Sequence, residues 1–184
     1  MTLVGFGERG WNPARRESFV ITEALEDTQS LEDFCGSWEN RPPRTRAEIR
    51  LKRALIGRVA QVACRMHGNG MNHRDFYLCH FLLDCSGNVL EQLPAALRLS
   101  LIDLHRVQLR RRTPERWLVK DIGGLYFSSM RIGLTRRDLY RFMRAYRNRS
   151  LRSTLGEDAG FWERCRMRAH ALYHSFYHED PPAI

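Results

Sequence analysis

The sequence predicts an α+β domain that is mostly α-helical, with a small β element beside one polar loop. The apolar residues between Leu51 and Met66 recur at steps of four and three, which is the period of a helix with one buried face. Two short apolar runs, residues 81–84 and 99–103, are typical of strands and follow the polar loop at residues 71–80. The length of 184 residues suits one domain or one large lobe of a bigger fold.

The first elements can be placed from their start and stop signals. Residues 18–22 are rich in β-branched and aromatic side chains, which predicts a buried strand after a turn at residues 10–13. Capping boxes at Ser30 and Thr45 predict the starts of a short helix and of the long helix. The glycines of residues 67–70 end the long helix and lead directly into the polar loop.

The last third of the chain is predicted to be helical. Residues 121–128 form a short apolar segment, and a third capping box starts at Thr135. The helix after Thr135 carries the apolar residues Leu139, Phe142, Met143 and Tyr146. One face of the terminal helix is expected to carry Phe161, Cys165, Ala169, Leu172 and Phe176.

The composition limits the classes of partner. A net charge of +9 indicates attraction to an anion, which is a nucleic acid, a phospholipid surface or a phosphorylated substrate. The five cysteines are scattered and none forms a Cys-x-x-Cys pair, so reduced thiols are expected rather than a disulfide framework or a zinc site. No apolar run approaches the roughly 20 residues of a membrane span, and no signal peptide is expected.

The polar loop contains the residues that suggest a reaction. His73-Arg74-Asp75 reads like a kinase catalytic loop, whose aspartate receives a proton from the hydroxyl that is phosphorylated. Asp103, at the end of a predicted strand, suits magnesium because this hard cation prefers carboxylate oxygen. A lone His-Arg-Asp is a weak signal, and Asp75 could instead cap a turn while Arg74 pairs with an acid. The long capped helix before the loop and Asp103 after it favour the kinase.

Several longer stretches carry a family resemblance. Residues 72–83 (NHRDFYLCHFLL) resemble the catalytic loop of the lipopolysaccharide core heptose kinases, and residues 101–108 (LIDLHRVQ) resemble their metal-binding segment. Residues 116–129 and 132–138 are similar to their C-terminal lobe, and residues 18–25 (SFVITEAL) to the hinge that holds adenine. The resemblance extends from about residue 3 to about residue 178. It implies a protein-kinase-like C-terminal lobe at residues 30–184, with residues 1–29 forming the end of the N-lobe and the hinge strand.

The resemblance also implies an activity and a set of site residues. The γ-phosphate of ATP would pass, with Mg²⁺, to a heptose hydroxyl of the lipopolysaccharide inner core.

Protein kinases carry asparagine five residues after the catalytic aspartate, whereas this family is expected to carry histidine there. The implied assignments are Asp75 as catalytic base, Arg74 and His73 as its supports, Asp103 as metal ligand and nucleotide contact, and Glu23, Leu25 and His80 as nucleotide-binding residues. His80 would orient Asp103 or a phosphate, or would simply pack under the loop. His105, at the glycine position of the protein-kinase Asp-Phe-Gly, implies a fixed activation segment.

The implied acceptor also gives a partner and a location. Inner-core lipopolysaccharide is anionic and is presented at the cytoplasmic face of the inner membrane, so a cytoplasmic, peripheral protein is expected. Residues 110–112 are three arginines that would contact core phosphates or lipid headgroups, at about 1 kcal/mol for each cation near an anionic surface. They could equally be a solvated basic loop. No specific nucleic acid is expected as a partner.

The sequence departs from a complete kinase near its start. Residues 1–17 contain no lysine, and Lys52 and Lys120 lie where neither would hold nucleotide phosphates. We therefore expect the N-terminal glycine-rich lobe to be absent, this chain alone to transfer phosphate poorly, and apolar surface to be exposed. Three alternatives remain: a pseudokinase or remnant that binds lipopolysaccharide or a protein partner, a kinase that acts on proteins, and a basic nucleic-acid-binding module supported by charge alone.

Overall fold

A two-stranded antiparallel hairpin precedes the hinge. The computed structural model describes residues 2–12, 15–91 and 96–183. Strands β1 (Leu3–Arg9) and β2 (Glu17–Thr22) pair with Phe6 opposite Val20. The strand prediction was right, but the prediction that it is buried was wrong, since every residue of β2 is exposed. Within the described residues the hairpin pairs with no third strand, so its apolar side chains stay in solvent, as expected for exposed apolar surface near the hinge.

Two small sheets surround the polar loop. Strands β3 (Thr28–Ser30), β4 (Met71–Asn72), β5 (Phe81–Asp84), β6 (Leu99–Leu101) and β7 (Gln108–Leu109) follow in chain order. One sheet has the order β3-β5-β6, all antiparallel, and the other is the pair β4-β7. The sequence predicted β5 and β6 but not the three shorter strands. The polar loop runs from β4 to β5, so a sheet holds it at each end.

The helices form the bulk of the domain. They are α1 (Leu31–Gly36), α2 (Arg46–Gly68), α3 (Glu115–Ser129), α4 (Arg136–Arg147), α5 (Leu151–Glu157) and α6 (Ala159–Tyr177). All three predicted N-caps are present at Ser30, Thr45 and Thr135. In the Thr45 box, Glu48 N–H donates to the threonine hydroxyl and the Glu48 carboxylate accepts from Thr45 N–H. Each such cap contributes about 1 kcal/mol.

Helix α2 leads directly into the polar loop. Its predicted stripe is buried at Leu51, Leu55, Val59 and Met66, and it packs against α4. The helix is followed by Gly70 at φ 77°, where a Cβ would lie 1.8 Å from the carbonyl oxygen of Arg110. Only glycine allows both the positive φ and this close approach. The turn therefore brings the segment after Asp103 against the start of the loop.

Two of the helix predictions need correction. Helix α3 begins at Glu115 rather than at residue 121, because the apolar residues of its first turns are consecutive (117–119) and show no helical period. On α6, Phe161, Cys165 and Ala169 are buried as predicted, but Phe176 is 69% exposed. Phe176 lies in the last turn of the helix, where one side of its ring contacts Phe127 and the rest faces solvent.

The cysteines and the possible membrane spans can also be described from the structure. All five cysteines are free thiols, and the described cysteines are too dispersed for a metal cluster. No helix in the described ranges is long and apolar enough to cross a membrane.

Candidate active site

A buried carboxylate on α3 anchors the polar loop. Asp121 is fully buried, and its two oxygens accept hydrogen bonds from the backbone amides of His73 (2.7 Å) and Arg74 (2.8 Å). Arg74 has φ 78°, a conformation that costs a non-glycine residue about 1–3 kcal/mol. The hydrogen bonds that these amides donate to Asp121 offset that strain. Sequence reasoning missed Asp121, although a lone aspartate among the apolar residues of this segment was a usable signal.

Two further buried residues, His67 and Tyr146, hold Asp121 in place. His67 Nε2 lies 3.2 Å from the Asp121 carboxylate, and His67 Nδ1 lies 2.8 Å from the hydroxyl of Tyr146. Burial raises the pKa of Tyr146 well above its ordinary value, so its hydroxyl stays protonated. Since the carboxylate can only accept, His67 donates from Nε2 to Asp121, while its Nδ1 is hydrogen-bonded to the Tyr146 hydroxyl. The loop anchor is therefore tied to α2 and α4 as well as to α3.

His73 links the loop to the strand before Asp103. Its side chain is fully buried, and its Nε2 donates to the carbonyl oxygen of Ile102 at 3.0 Å. Its ring stacks on that of His80, with centroids 5.7 Å apart and an interplanar angle of 23°. His73 therefore supports the loop through ring packing and a hydrogen bond to the backbone.

His80 lies between the two candidate catalytic carboxyl residues. Its Nδ1 donates to the backbone carbonyl of Asp75 at 2.7 Å, and its Nε2 is 3.4 Å from the Asp103 carboxylate. The ring therefore packs under the loop and faces Asp103 at the same time. Both of the functions considered for His80 from the sequence are compatible with this position.

Asp103 is an ionised carboxylate on a strained turn. It follows β6 with φ 60° and ψ 50°, and its side chain is 38% exposed. The hydrogen bond from His105 Nδ1, followed by the charges of the nearby histidines, lowers the pKa of Asp103 below its ordinary value. His105 thus fixes the orientation of Asp103 from the position where a protein kinase has glycine.

The donor set at Asp103 fits a magnesium ion of the kind found in nucleotide enzymes. Among the described residues no group of three or more His, Cys, Asp or Glu side chains could enclose a metal. Mg²⁺ does not need such a cage, because it keeps several waters and takes one or two carboxylates together with substrate phosphates. A single exposed carboxylate, held by two histidines, meets that requirement.

Asp75 is held by an arginine that sequence reasoning did not single out. Arg106 Nη1 lies 2.9 Å from each of the two carboxylate oxygens of Asp75. The Asp75 side chain is only 20% exposed, so the ion pair is partly shielded from water. Arg106 stands three residues after Asp103, inside the segment that carries the family resemblance, and this position was the available signal.

The remaining predicted residues lie apart from this cluster. At the hinge, the Glu23 amide donates to Thr2, while the Glu23 carbonyl and the Leu25 amide have no backbone partner among the described residues. Neither residue contacts Asp75 or Asp103. Lys52 is buried on α2, where its Nζ lies 2.9 Å from the Asp138 carboxylate, so it is a structural cation as expected.

Together, the anchored His-Arg-Asp loop, the metal-suited Asp103 and the hairpin with its hinge form the arrangement of a protein-kinase-like C-terminal lobe. The sequence model described as the lipopolysaccharide kinase (Kdo/WaaP) family matches residues 1–146. The chain belongs to that family, which confirms the resemblance drawn from the motifs.

Individual relatives agree with the family assignment. The chain is 49% identical over 166 residues to the lipopolysaccharide core heptose(I) kinase WaaP of Escherichia coli, covering 90% of the chain and 60% of that relative. It is 49% identical over 173 residues to the WaaP of Pseudomonas aeruginosa, covering 94% and 62%. The solved structure of WaaP in complex with acyl carrier protein superposes with a TM-score of 0.83 at 48% identity, covering 94% of this chain and 69% of that one. The chain thus spans about three fifths of the length of the curated relatives it matches.

Proposed function

We propose that the protein is a lipopolysaccharide core heptose kinase, which transfers the γ-phosphate of ATP to a heptose hydroxyl of the inner core. The observation that carries this proposal is the unit formed by Asp75, His80 and Asp103. In it, one imidazole connects the backbone of the candidate base to the carboxylate of the candidate metal ligand. Phosphoryl transfer depends mainly on positioning and charge neutralisation; this unit supplies the positioning, and the Mg²⁺ that Asp103 would hold would supply the neutralisation.

Each residue of the site has a defined part in that reaction. Asp75 accepts the proton of the attacking heptose hydroxyl, and Arg106 holds its carboxylate in place. Asp103 would hold Mg²⁺, which neutralises charge on the nucleotide phosphates when it is bound. The Glu23 carbonyl and the Leu25 amide, which are unpaired with other described backbone, would bind adenine. His73 and Arg74 keep the loop in its strained conformation through Ile102 and Asp121.

The charge of the chain supports an anionic acceptor at a membrane surface. We propose a cytoplasmic protein that binds peripherally at the inner face of the inner membrane. The net charge of +9 and the exposed arginines Arg111 and Arg112 favour attraction to core phosphates or lipid headgroups. A nucleic-acid-binding module has the same charge but would not need the Asp75–His80–Asp103 unit.

An acyl carrier protein is a second proposed partner, which sequence reasoning did not anticipate. The domain contains an apolar cavity of about 360 Å³ between α2, α3, α4 and α6, lined by residues such as Leu55, Leu125, Phe142 and Trp162. Exposed Leu155 and Arg166 also line it, so the cavity reaches the surface. The apolar lining suits an acyl chain, which would be removed from water on binding there. A carrier protein loaded with an acyl chain should therefore raise the melting temperature more than the unloaded carrier protein does.

An acceptor panel tests the proposed reaction. The protein, as its own host produces it, is incubated with radiolabelled ATP and Mg²⁺ and with three acceptors: inner-core lipopolysaccharide containing heptose, the same lipid without heptose, and a mixed peptide substrate. We expect label on the heptose-containing acceptor alone. Label on peptides would indicate a protein-directed kinase, and ATP binding with no transfer to any acceptor would indicate a pseudokinase.

A further inference from the structure

Four cations surround a single indole ring beside the catalytic loop. The guanidinium carbons of Arg74 and Arg110 and the ammonium of Lys120 each lie 5.5 Å from the ring centre of Trp117, and the guanidinium carbon of Arg116 lies 5.7 Å from it. These five residues are called here the Trp117 cluster. A cation over an aromatic face is favourable, but one ring offers only two faces. The other charges therefore need a different source of stabilisation.

No carboxylate stabilises these positive charges within the described residues. None of the four cations forms an ion pair there, although many other arginines do. Arg110 is bonded to the neutral side chains of Asn72 and Gln108. The nearby Asp121 is committed to the loop amides and to His67. The cluster therefore carries four positive charges with no internal counter-charge.

The position of the cluster on α3 adds to its positive potential. Arg116 lies in the first turn of α3, where the helix dipole disfavours cations, and the N-cap residue Pro114 provides no side-chain cap. Arg116 and Lys120 are four residues apart on the same helix face, a like-charge pair that destabilises a helix. An anion bound between them would reverse each of these unfavourable terms.

Two buried donors in the cluster also lack partners. Trp117 Nε1 and Arg74 Nε are inaccessible to solvent and form no hydrogen bond. Buried N–H groups are nearly always paired, and an unpaired one costs about 1–3 kcal/mol. Because these two atoms are closed to solvent, a bound anion would contact the exposed or partly exposed cationic side chains of the cluster rather than these N–H groups. A phosphate dianion suits four positive charges better than a carboxylate does.

The anion does not come from the adjoining segment of this chain. Between Asp103 and Pro114 the only hydroxyl side chain is that of Thr113. Thr113 is buried, and its Oγ1 lies 3.2 and 3.3 Å from the carbonyl oxygens of His67 and Met71. It is therefore not accessible as a phosphorylation site, and the adjoining segment supplies no phosphate.

We propose that the Trp117 cluster binds a phosphate group carried by the sugar acceptor. Arg74 is the chain neighbour of Asp75, so a phosphate held here would place the acceptor beside the catalytic carboxylate. The nucleotide is assigned to Asp103 and the hinge, which the cluster does not contact. Phosphate binding is inferred from the charges and contacts of the cluster, whereas the assignment to the acceptor rests on the proposed kinase function.

Fluorine NMR of the chain labelled with 5-fluorotryptophan tests phosphate binding directly. The four tryptophans give separate signals, and Trp117→Phe identifies the signal of interest. Inorganic phosphate is expected to shift that signal saturably while the signals of Trp11, Trp38 and Trp162 stay in place. Lys120→Gln should weaken binding about tenfold, which corresponds to about 1.4 kcal/mol, whereas Arg152→Gln, an exposed arginine on α5, should not. No shift, or an equal shift with sodium chloride of the same ionic strength, overturns the site.

A second arm separates an acceptor phosphate from free phosphate. Glucose 6-phosphate is compared with inorganic phosphate and with glucose in the same titration. An acceptor subsite must accept a phosphate ester, so glucose 6-phosphate should shift the Trp117 signal and glucose should not. Binding of inorganic phosphate without glucose 6-phosphate overturns the acceptor assignment. Because neither arm requires phosphoryl transfer, failure of the proposed kinase reaction would leave these results unchanged and would be recognised separately.

Discussion

Arg106 holds the carboxylate of Asp75 through a single guanidinium nitrogen that lies 2.9 Å from both oxygens. The residue that would accept a proton from the acceptor is therefore fixed by the segment that follows the candidate metal ligand. This contact connects the two halves of the site across 31 residues of sequence.

The first prediction concerns this ion pair. Arg106→Gln should lower kcat for phosphoryl transfer about tenfold to a hundredfold, because Asp75 loses the group that orients it. The KM for ATP should change little, since Arg106 contacts no hinge residue. Arg106→Lys should recover part of the rate, and Arg152→Gln serves as the control. A rate equal to or above that of the parent would mean that Arg106 competes with the acceptor for Asp75 instead of positioning it.

The second prediction concerns the loop anchor. Asp121→Asn should lower the free energy of unfolding by about 2–4 kcal/mol, because a buried amide replaces one of the acceptors for the His73 and Arg74 amides. Urea denaturation measures the change. Glu91→Gln, at an exposed acid, should change the value by less than about 0.5 kcal/mol. Equal stabilities of the two variants would show that Asp121 is not the anchor.

The third prediction concerns His80. His80→Ala should raise the Mg²⁺ concentration needed for half-maximal transfer about tenfold or more, because groups that orient a metal ligand typically affect metal affinity to that extent. The measurement is a magnesium titration of the transfer rate at saturating ATP. His174→Ala, on the exposed face of α6, is the matched control. An unchanged titration in His80→Ala would leave only the packing role under the loop.

The fourth prediction is a pH dependence at the buried pair of Lys52 and Asp138. Burial acts to raise the pKa of Asp138, but the hydrogen bonds from Lys52 and Thr135 outweigh it and lower the pKa below the ordinary 3.8. A carboxyl group with a depressed folded-state pKa stabilises the protein above its unfolded-state value and loses that contribution as pH falls.

The stability difference between the parent and Asp138→Asn should therefore be largest near neutral pH. It should shrink as pH falls through and below 3.8, which urea denaturation at a series of pH values will show. A difference that stays constant over this range would mean that Asp138 contributes through its cap geometry rather than its charge.

The fold was predictable where the signals were local. Helix α2 has a regular apolar period and a capping box at Thr45, and both depend on residues within one or two turns. Burial was less predictable because it depends on distant neighbours. The β-branched run of β2 forms a strand as expected, yet nothing in its own sequence shows that the hairpin is left uncovered in this chain.

The residues of the site also fall into those with a local sequence signal and those that depend on distant neighbours. Asp75, His80 and Asp103 were found because their motif has a fixed spacing in sequence. Asp121 and the Trp117 cluster were missed because the His73 amide lies 48 residues from Asp121 and because Arg74 and Arg110 approach Trp117 from other parts of the chain. Such pairs are set by how α3 packs against the loop, which one sequence does not reveal.

The most direct test of the central claim is phosphoryl transfer by Asp75→Asn in the protein as its host produces it. The change keeps the size of the side chain but removes the base, so transfer to the heptose acceptor should be abolished while ATP still binds with nearly unchanged affinity. Residual transfer above about a tenth of the parent rate, a loss of only about 1.4 kcal/mol of transition-state stabilisation, would contradict the assignment of Asp75 as the catalytic base.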